Sequence, residues 1–369
     1  MASSGNLPIV LYHYDLSPYA RRLRWYLNLR KIPYSQCIQP RILPRPDLSL
    51  LGVSYRRIPI LAIGRDVYLD TRLIIQKLET LFPPSTAHPG ISGAAAGKPE
   101  HTALEQLISQ RVTEGDLFSR AIQCFPASRF GADAALLRDR TALFTGVDPA
   151  KSTETTTTSN EEDGKSKSST PSPLSPEIMN QQRPVAMSVM RRWIRWLEDG
   201  LLADGRDWLT SDGAGGPSLA DLEAIWVLMW VSPALPAGIL GAESAPKVAA
   251  WVQRFKSAVR AAEEGAPELP SLKGEEVAKL LLSSSFAEPE GEVEVDPVVA
   301  DGARPKKGQS VKMWPTDYGF SHKDTGKLVA ADEREYAIES NGAMGSVRIH
   351  APRYGFTISA DEGHVPSQL

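Results

Sequence analysis

Cysteine is scarce. The 369 residues hold two, Cys37 and Cys124, which excludes a disulfide framework and fits a reducing compartment. Charge of one sign is lacking too. Forty-one Lys and Arg stand against 44 Asp and Glu, a formal net charge of −3, so no basic face argues for nucleic acid. No grouping of His, Cys and carboxylates has zinc-like spacing, and no metal is expected. Long apolar runs are short or interrupted. Ala224 to Ala242 is 19 residues without a charge, close to the roughly 20 of a membrane span. It contains Pro233, Pro236, Gly238 and Gly241, and reads instead as a buried helix over Ala224–Val231 that stops at Ser232-Pro233. Met1–Asn6 has no basic region and the apolar run Leu7–Tyr12 is brief, so no signal peptide and no membrane partner are expected. The expected compartment is cytoplasmic. Ser367-Gln368-Leu369 is one substitution from a peroxisomal address, which gives a peroxisomal alternative.

What is present is a globular composition, 42% hydrophobic and 23% charged, at a length that suggests two or three domains. Residues 151–170 contain 11 Ser or Thr and nothing hydrophobic. Such a stretch buries too little apolar surface to offset its ordering entropy, and a disordered insertion over about 148–176 is expected. Pro83–Pro99 and Gly265–Lys307 read as irregular. Three blocks remain: 7–82 with alternating strand and helix signals, 100–263 helical, and 308–360 strand-like.

In the first block Ile9–Tyr12 is a short buried strand. Ser17-Pro18 opens a helix, Ser as N-cap and Pro in the first turn. Tyr34–Ile38 is a second strand, Ile58–Ile63 a third with Pro at its start, and Val67–Leu69 a fourth after a turn at Gly64. Asp70 or Thr71 caps a helix carrying Leu73, Ile74, Leu78 and Leu81. The order is β-α-β, a long connection, then β-β-α. In the second block Ser218 and Asp221 form a reciprocal cap. Met187, Met190, Ile194, Leu197 and Leu201 mark a helix with Arg191, Arg192 and Arg195 turned to solvent. In the third, Val311–Trp314, Lys327–Val329, Val347–His350 and Tyr354–Ile358 alternate at period two.

This layout and its motifs resemble the glutathione transferases. Ser17-Pro18-Tyr19-Ala20 stands where thioredoxins carry C-x-x-C and serine-type transferases carry Ser. Ile58-Pro59 matches the family's cis-proline, Gly64 its turn, Asp70-Thr71 its Glu-Ser pair, and Pro217–Asp221 its capping box. The resemblance covers roughly 7–263. It implies a thioredoxin-like α/β domain at 7–82 and an all-α domain at 100–263. The strands of 308–360 are an addition, a small sheet or barrel resembling the β extension of certain fungal transferase-like proteins.

The same resemblance implies glutathione as co-substrate, a small apolar electrophile as acceptor, and a homodimer. Ser17 would donate to the glutathione thiolate, at a helix N-terminus that favours an anion. Tyr12, at the end of the first strand, is either a second hydroxyl donor or an aromatic over the pocket. Ile58 and Pro59 would present backbone groups to the cysteinyl moiety. Asp70 and Thr71 would hold the γ-glutamyl end, and Arg57, Arg21 or Arg22 would reach the glycyl carboxylate. Tyr19, Phe118 and Trp226 would line the acceptor pocket. With serine at 17 and alanine at 20, dithiol exchange is absent, and Cys37 reads as a core residue. Conjugation and glutathione-dependent isomerase or lyase chemistry use the same site. The alternative is a non-catalytic scaffold that keeps the fold.

Overall fold

The computed structural model describes residues 7–131, 133–147, 173–210, 215–293 and 305–361. Most of the Ser/Thr-rich stretch expected to be disordered, and the C-terminal tripeptide, lie outside the described residues.

The first block runs β1 (Ile9–His13), α1 (Pro18–Leu29), β2 (Ser35–Ile38), α2 (Pro46–Ser49), β3 (Ile60–Ile63), β4 (Asp66–Leu69) and α3 (Thr71–Leu81). β1 pairs parallel with β2 and antiparallel with β3, and β3 antiparallel with β4. This is the thioredoxin layout. Ile9–Tyr12 of β1 and the whole of β3 are apolar without alternation and buried at every position, because both faces are covered. Leu11, Leu61 and Ile63 face Leu23, Ile74 and Leu78 of the flanking helices, whereas Val10, Tyr12 and Ala62 face Leu48 and Val277 on the other side. Each of the Val, Leu and Ile side chains contributes roughly 1.5–3 kcal/mol by burial. Gly64 takes φ +55° in the β3–β4 turn, and a Cβ there would lie 2.3 Å from the Ser285 carbonyl oxygen. The long connection holds the short α2, which propensity did not reveal.

The helical block comprises α4 (Pro99–Ser109), α5 (Leu117–Cys124), α6 (Ser128–Gly131), α7 (Ala134–Thr145), α8 (Pro176–Trp196), α9 (Leu219–Val231) and α10 (Pro246–Glu264). α9 is the central buried helix. Ser218 and Asp221 make the expected capping box, and the buried Asp221 also accepts from Leu209 N at 2.8 Å and Trp251 Nε1 at 2.7 Å. α9 ends at Val231, before Pro233. No helix among the described residues is long and apolar enough to cross a membrane. Arg191, Arg192 and Arg195 are exposed on α8, as its periodicity implied.

Two elements depart from the sequence reading. The Gly265–Lys307 stretch contains α11 (Gly274–Leu282), whose Val277, Ala278 and Leu281 are fully buried. The final block has β5 (Ser310–Pro315), β6 (Asp324–Ala331), β7 (Glu335–Asn341), β8 (Ser346–Pro352) and β9 (Phe356–Ala360). β7 escaped the period-two pattern because its inward positions include Glu335 and Ser340. Tyr354 is not in a strand but in the turn before β9, 67% exposed.

The added strands do not stand apart. β8 pairs parallel with β4, placing Val67 opposite Ile349 and Tyr68 opposite His350. Among the described residues one nine-stranded sheet results, ordered β2-β1-β3-β4-β8-β7-β6-β5-β9. The seam is polar and buried. Asp66 accepts from His350 Nε2 at 2.8 Å and from Ala287 N at 2.6 Å. Glu335 lies 3.3 Å from His350 Nδ1 and receives Lys77 at 2.6 Å. Burial alone would lower the His350 pKa, but the two carboxylates outweigh it and raise it to about 9. Gly342, in the β7–β8 turn, sits against the α2 loop so tightly that a Cβ would lie 2.3 Å from the Leu50 carbonyl oxygen.

Candidate functional site

The site is built where α1, the Ile58-Pro59 segment and α3 begin. Ser17 caps α1, its Oγ accepting from Ala20 N at 3.2 Å. That leaves the hydroxyl proton to donate, at the positive end of the helix. Ser17 is 2% exposed; its own amide donates to Tyr14 O at 3.0 Å. The Ile58-Pro59 bond is cis, and so is Leu43-Pro44.

Asp70 caps α3 with φ +66°, a backbone region uncommon for residues other than glycine. Its carboxylate accepts from Arg72 N, Nε and an Nη, each at 2.9 Å. Burial pushes the Asp70 pKa up, but Arg72, with a smaller contribution from Arg57, reverses this and holds it near about 2. Arg72 reaches Glu114 as well. Thr71 is buried, and its hydroxyl accepts from Arg22 at 2.6 Å. Arg22 is in turn paired with Glu223 of α9, both sealed from solvent. The two residues expected to hold the γ-glutamyl end therefore already carry partners from the chain itself.

Tyr12 is completely buried on the α2 side of the sheet, and its hydroxyl has no partner among the described residues. Burial, with Cys37 and Asp47 nearby, raises its pKa. It is a core aromatic, and only Ser17 of the two expected donors stands at a helix N-terminus. Cys37 matches the core reading: burial and Asp47 push its thiol up to about 12.

Arg57, like Thr71, already carries partners from the chain itself. Its Nε donates to Tyr318 O at 2.8 Å, and its guanidinium pairs with Asp317. Both partners lie in the β5–β6 loop, in a Pro315–Gly319 stretch legible in sequence only as a turn. Burial weakens its charge but Tyr55 and Asp317 more than restore it. The same loop is tied to α7: Gly319 N donates to Leu143 O at 2.8 Å, and the Tyr318 and Phe144 rings meet edge-on at 4.7 Å. At the other end Tyr354, from the β8–β9 turn, lies 5.7 Å from the Arg72 guanidinium. Nothing in the linear sequence pairs these residues, since about 260 positions separate Arg57 from Asp317.

The three aromatics expected in the acceptor pocket come together. The Tyr19 ring is 4.7 Å from Phe118 and 4.8 Å from Trp226, with 5.4 Å between Phe118 and Trp226. Trp230 and Phe125 extend the cluster, 5.4 Å from Phe118 to Trp230 and 4.8 Å from Phe125 to Trp230. Tyr19 and Phe118 are half-buried and Trp226 is buried. An apolar wall beside a few polar groups is the ordinary make-up of a small-molecule site.

Residues 11–86 match the family model of the glutathione S-transferase N-terminal domain. Residues 153–264 match a domain of unknown function, DUF7962. No curated protein matches the chain. Among solved structures the chain is similar to a GST-like protein from Pseudomonas syringae at 22% identity, covering 96% of this chain and 99% of that one with a TM-score of 0.60. It is also similar to rice GST1 in complex with glutathione, at 18% identity over 74% of this chain and 96% of that one, TM-score 0.40. Coverage of 96% of the chain takes in strands β5–β9 as well. The chain therefore carries a glutathione S-transferase N-terminal domain over residues 11–86, and over its length it has the fold of a GST-like protein.

Proposed function

We propose that the chain is a glutathione-dependent, transferase-like enzyme. The reading rests foremost on one juxtaposition: the α1 N-cap hydroxyl of Ser17 and, within the first turn of the same helix, Tyr19 at the edge of the Phe118–Trp226 aromatic wall. Glutathione thiol, with a free pKa near about 8.5, is mostly protonated at neutral pH. A hydroxyl donor at a helix N-terminus favours the anion. The thiolate then attacks an electrophilic carbon of an apolar acceptor held on the aromatic wall. A carbon–sulfur bond forms, and the displaced electron pair leaves on the departing group or settles on an adjacent electron-withdrawing one. The backbone at Ile58 and the α3 N-terminus at Asp70-Thr71 hold the tripeptide, and two copies form the working unit.

A second reading, a scaffold without catalysis, is favoured by the partners already on Thr71 and Arg57. Thermal shift with glutathione separates the two. At 100 times its dissociation constant a ligand adds roughly 2.7 kcal/mol of stability. A rise in melting temperature with millimolar glutathione, together with conjugation of an aryl halide, supports the enzyme. A flat response to glutathione leaves the scaffold.

A further inference from the structure

We propose that the β5–β6 loop forms one wall of the thiol-peptide cleft, and that Asp317 stands in there for the ligand's glycyl carboxylate on Arg57. The inference rests on the proposed glutathione site and assigns that site a competitor inside the chain.

Arg57 directly precedes the Ile58-Pro59 segment, and its charge acts on both Asp70 and Tyr19. Its guanidinium is engaged by a carboxylate and a main-chain carbonyl, from Asp317 and Tyr318. A guanidinium presents several donors in a planar fork suited to a carboxylate, and Asp317 fills that role. Asp317 comes from outside the thioredoxin-like block, on a loop carried by the added strands. Its side chain is 51% exposed, whereas that of Arg57 is 22% exposed. Asp317 is thus free to turn out into solvent, and the partly exposed Arg57 guanidinium is then open to a dissolved carboxylate. The loop is not loose: Gly319 N holds Leu143 O, and Tyr318 packs on both Arg57 and Phe144. Exchange of one carboxylate for another thus needs only the Asp317 side chain to swing away while the loop stays docked. Tyr354, from the neighbouring turn, places its ring 5.7 Å from the Arg72 guanidinium beside Asp70. The added strands therefore reach both Arg57 and Arg72.

The pair is partly exposed, so its release is expected to improve affinity only about two- to fivefold. Glutathione and its glycyl monoethyl ester are titrated calorimetrically into the full chain, the Asp317→Asn variant and the Arg57→Ala variant. The expected result is a gain of this size for glutathione in Asp317→Asn, no gain for the ester, and weaker glutathione binding in Arg57→Ala. Binding by the natural chain with unchanged affinity in Asp317→Asn overturns the inference and leaves the glutathione site standing. An equal gain for the ester also overturns it, because the loop would then act without reference to the glycyl carboxylate. Absence of binding by all three proteins removes the glutathione site and this inference together.

Discussion

Two roles meet in the hydroxyl of Ser17. As N-cap it satisfies the Ala20 amide, and Ser17→Ala is expected to cost about 1 kcal/mol of stability for that reason alone. Denaturant unfolding measures this cost, and a midpoint unchanged from the natural chain would contradict the cap. The cap was readable from Ser17-Pro18, as was that of Asp70. Thr71 was readable only in half: its place at the helix start follows from the sequence, its partner does not. Arg22 bonds Thr71 and Glu223, and 201 positions separate it from Glu223. Arg22→Met leaves the buried Glu223 carboxylate uncompensated and is expected to destabilise by roughly 3–5 kcal/mol. Adding Glu223→Leu to that variant should restore most of the loss in the same unfolding experiment. A double variant no more stable than Arg22→Met would show that the pair does not act as a unit.

Among the elements, the junction of β4 with β8 depends on proton occupancy. His350 has a folded pKa raised to about 9 by Asp66 and Glu335, against about 6.5 when unfolded. Its contribution is fully present below pH 6.5 and is lost as pH rises through 9, amounting to about 3 kcal/mol if the whole shift is expressed. Unfolding midpoints measured from pH 6 to 10 should fall across that window and fall less in His350→Gln. Asp324 adds an earlier limb. It is buried, accepts from Ser54 N and Tyr55 N, and has its pKa raised to about 7 by burial. The folded state thus keeps a proton that the unfolded chain releases, so stability declines between about pH 4 and 7. Asp324→Asn should remove that decline, and an unaltered pH profile would place the carboxylate in a wetter setting. The seam was invisible in sequence because strand pairing across some 280 residues has no local signature. α11 and β7 were missed for a related reason. Their burial is decided by α2 and by the seam, and tertiary packing overrode weak local patterns.

For the whole molecule, the first two blocks were legible because each motif is local: a cap, a turn glycine, a buried helix with its capping box. The third block was legible as strands but not as a continuation of the first sheet. That continuation is what carries Asp317 and Tyr318 to Arg57 and Tyr354 to Arg72. The scarcity of cysteine bears on the same point. Both thiols are buried with raised pKa, so the reactive sulfur in the proposed chemistry comes from the ligand. The most direct measurement is therefore ultraviolet titration of the glutathione thiolate bound to the full chain, against pH, in the natural protein and in Ser17→Ala. A saturable thiolate signal with an apparent pKa below that of free glutathione, returned by Ser17→Ala to the free value, is the predicted result. An identical titration in both proteins, or no saturable signal in either, would contradict the account.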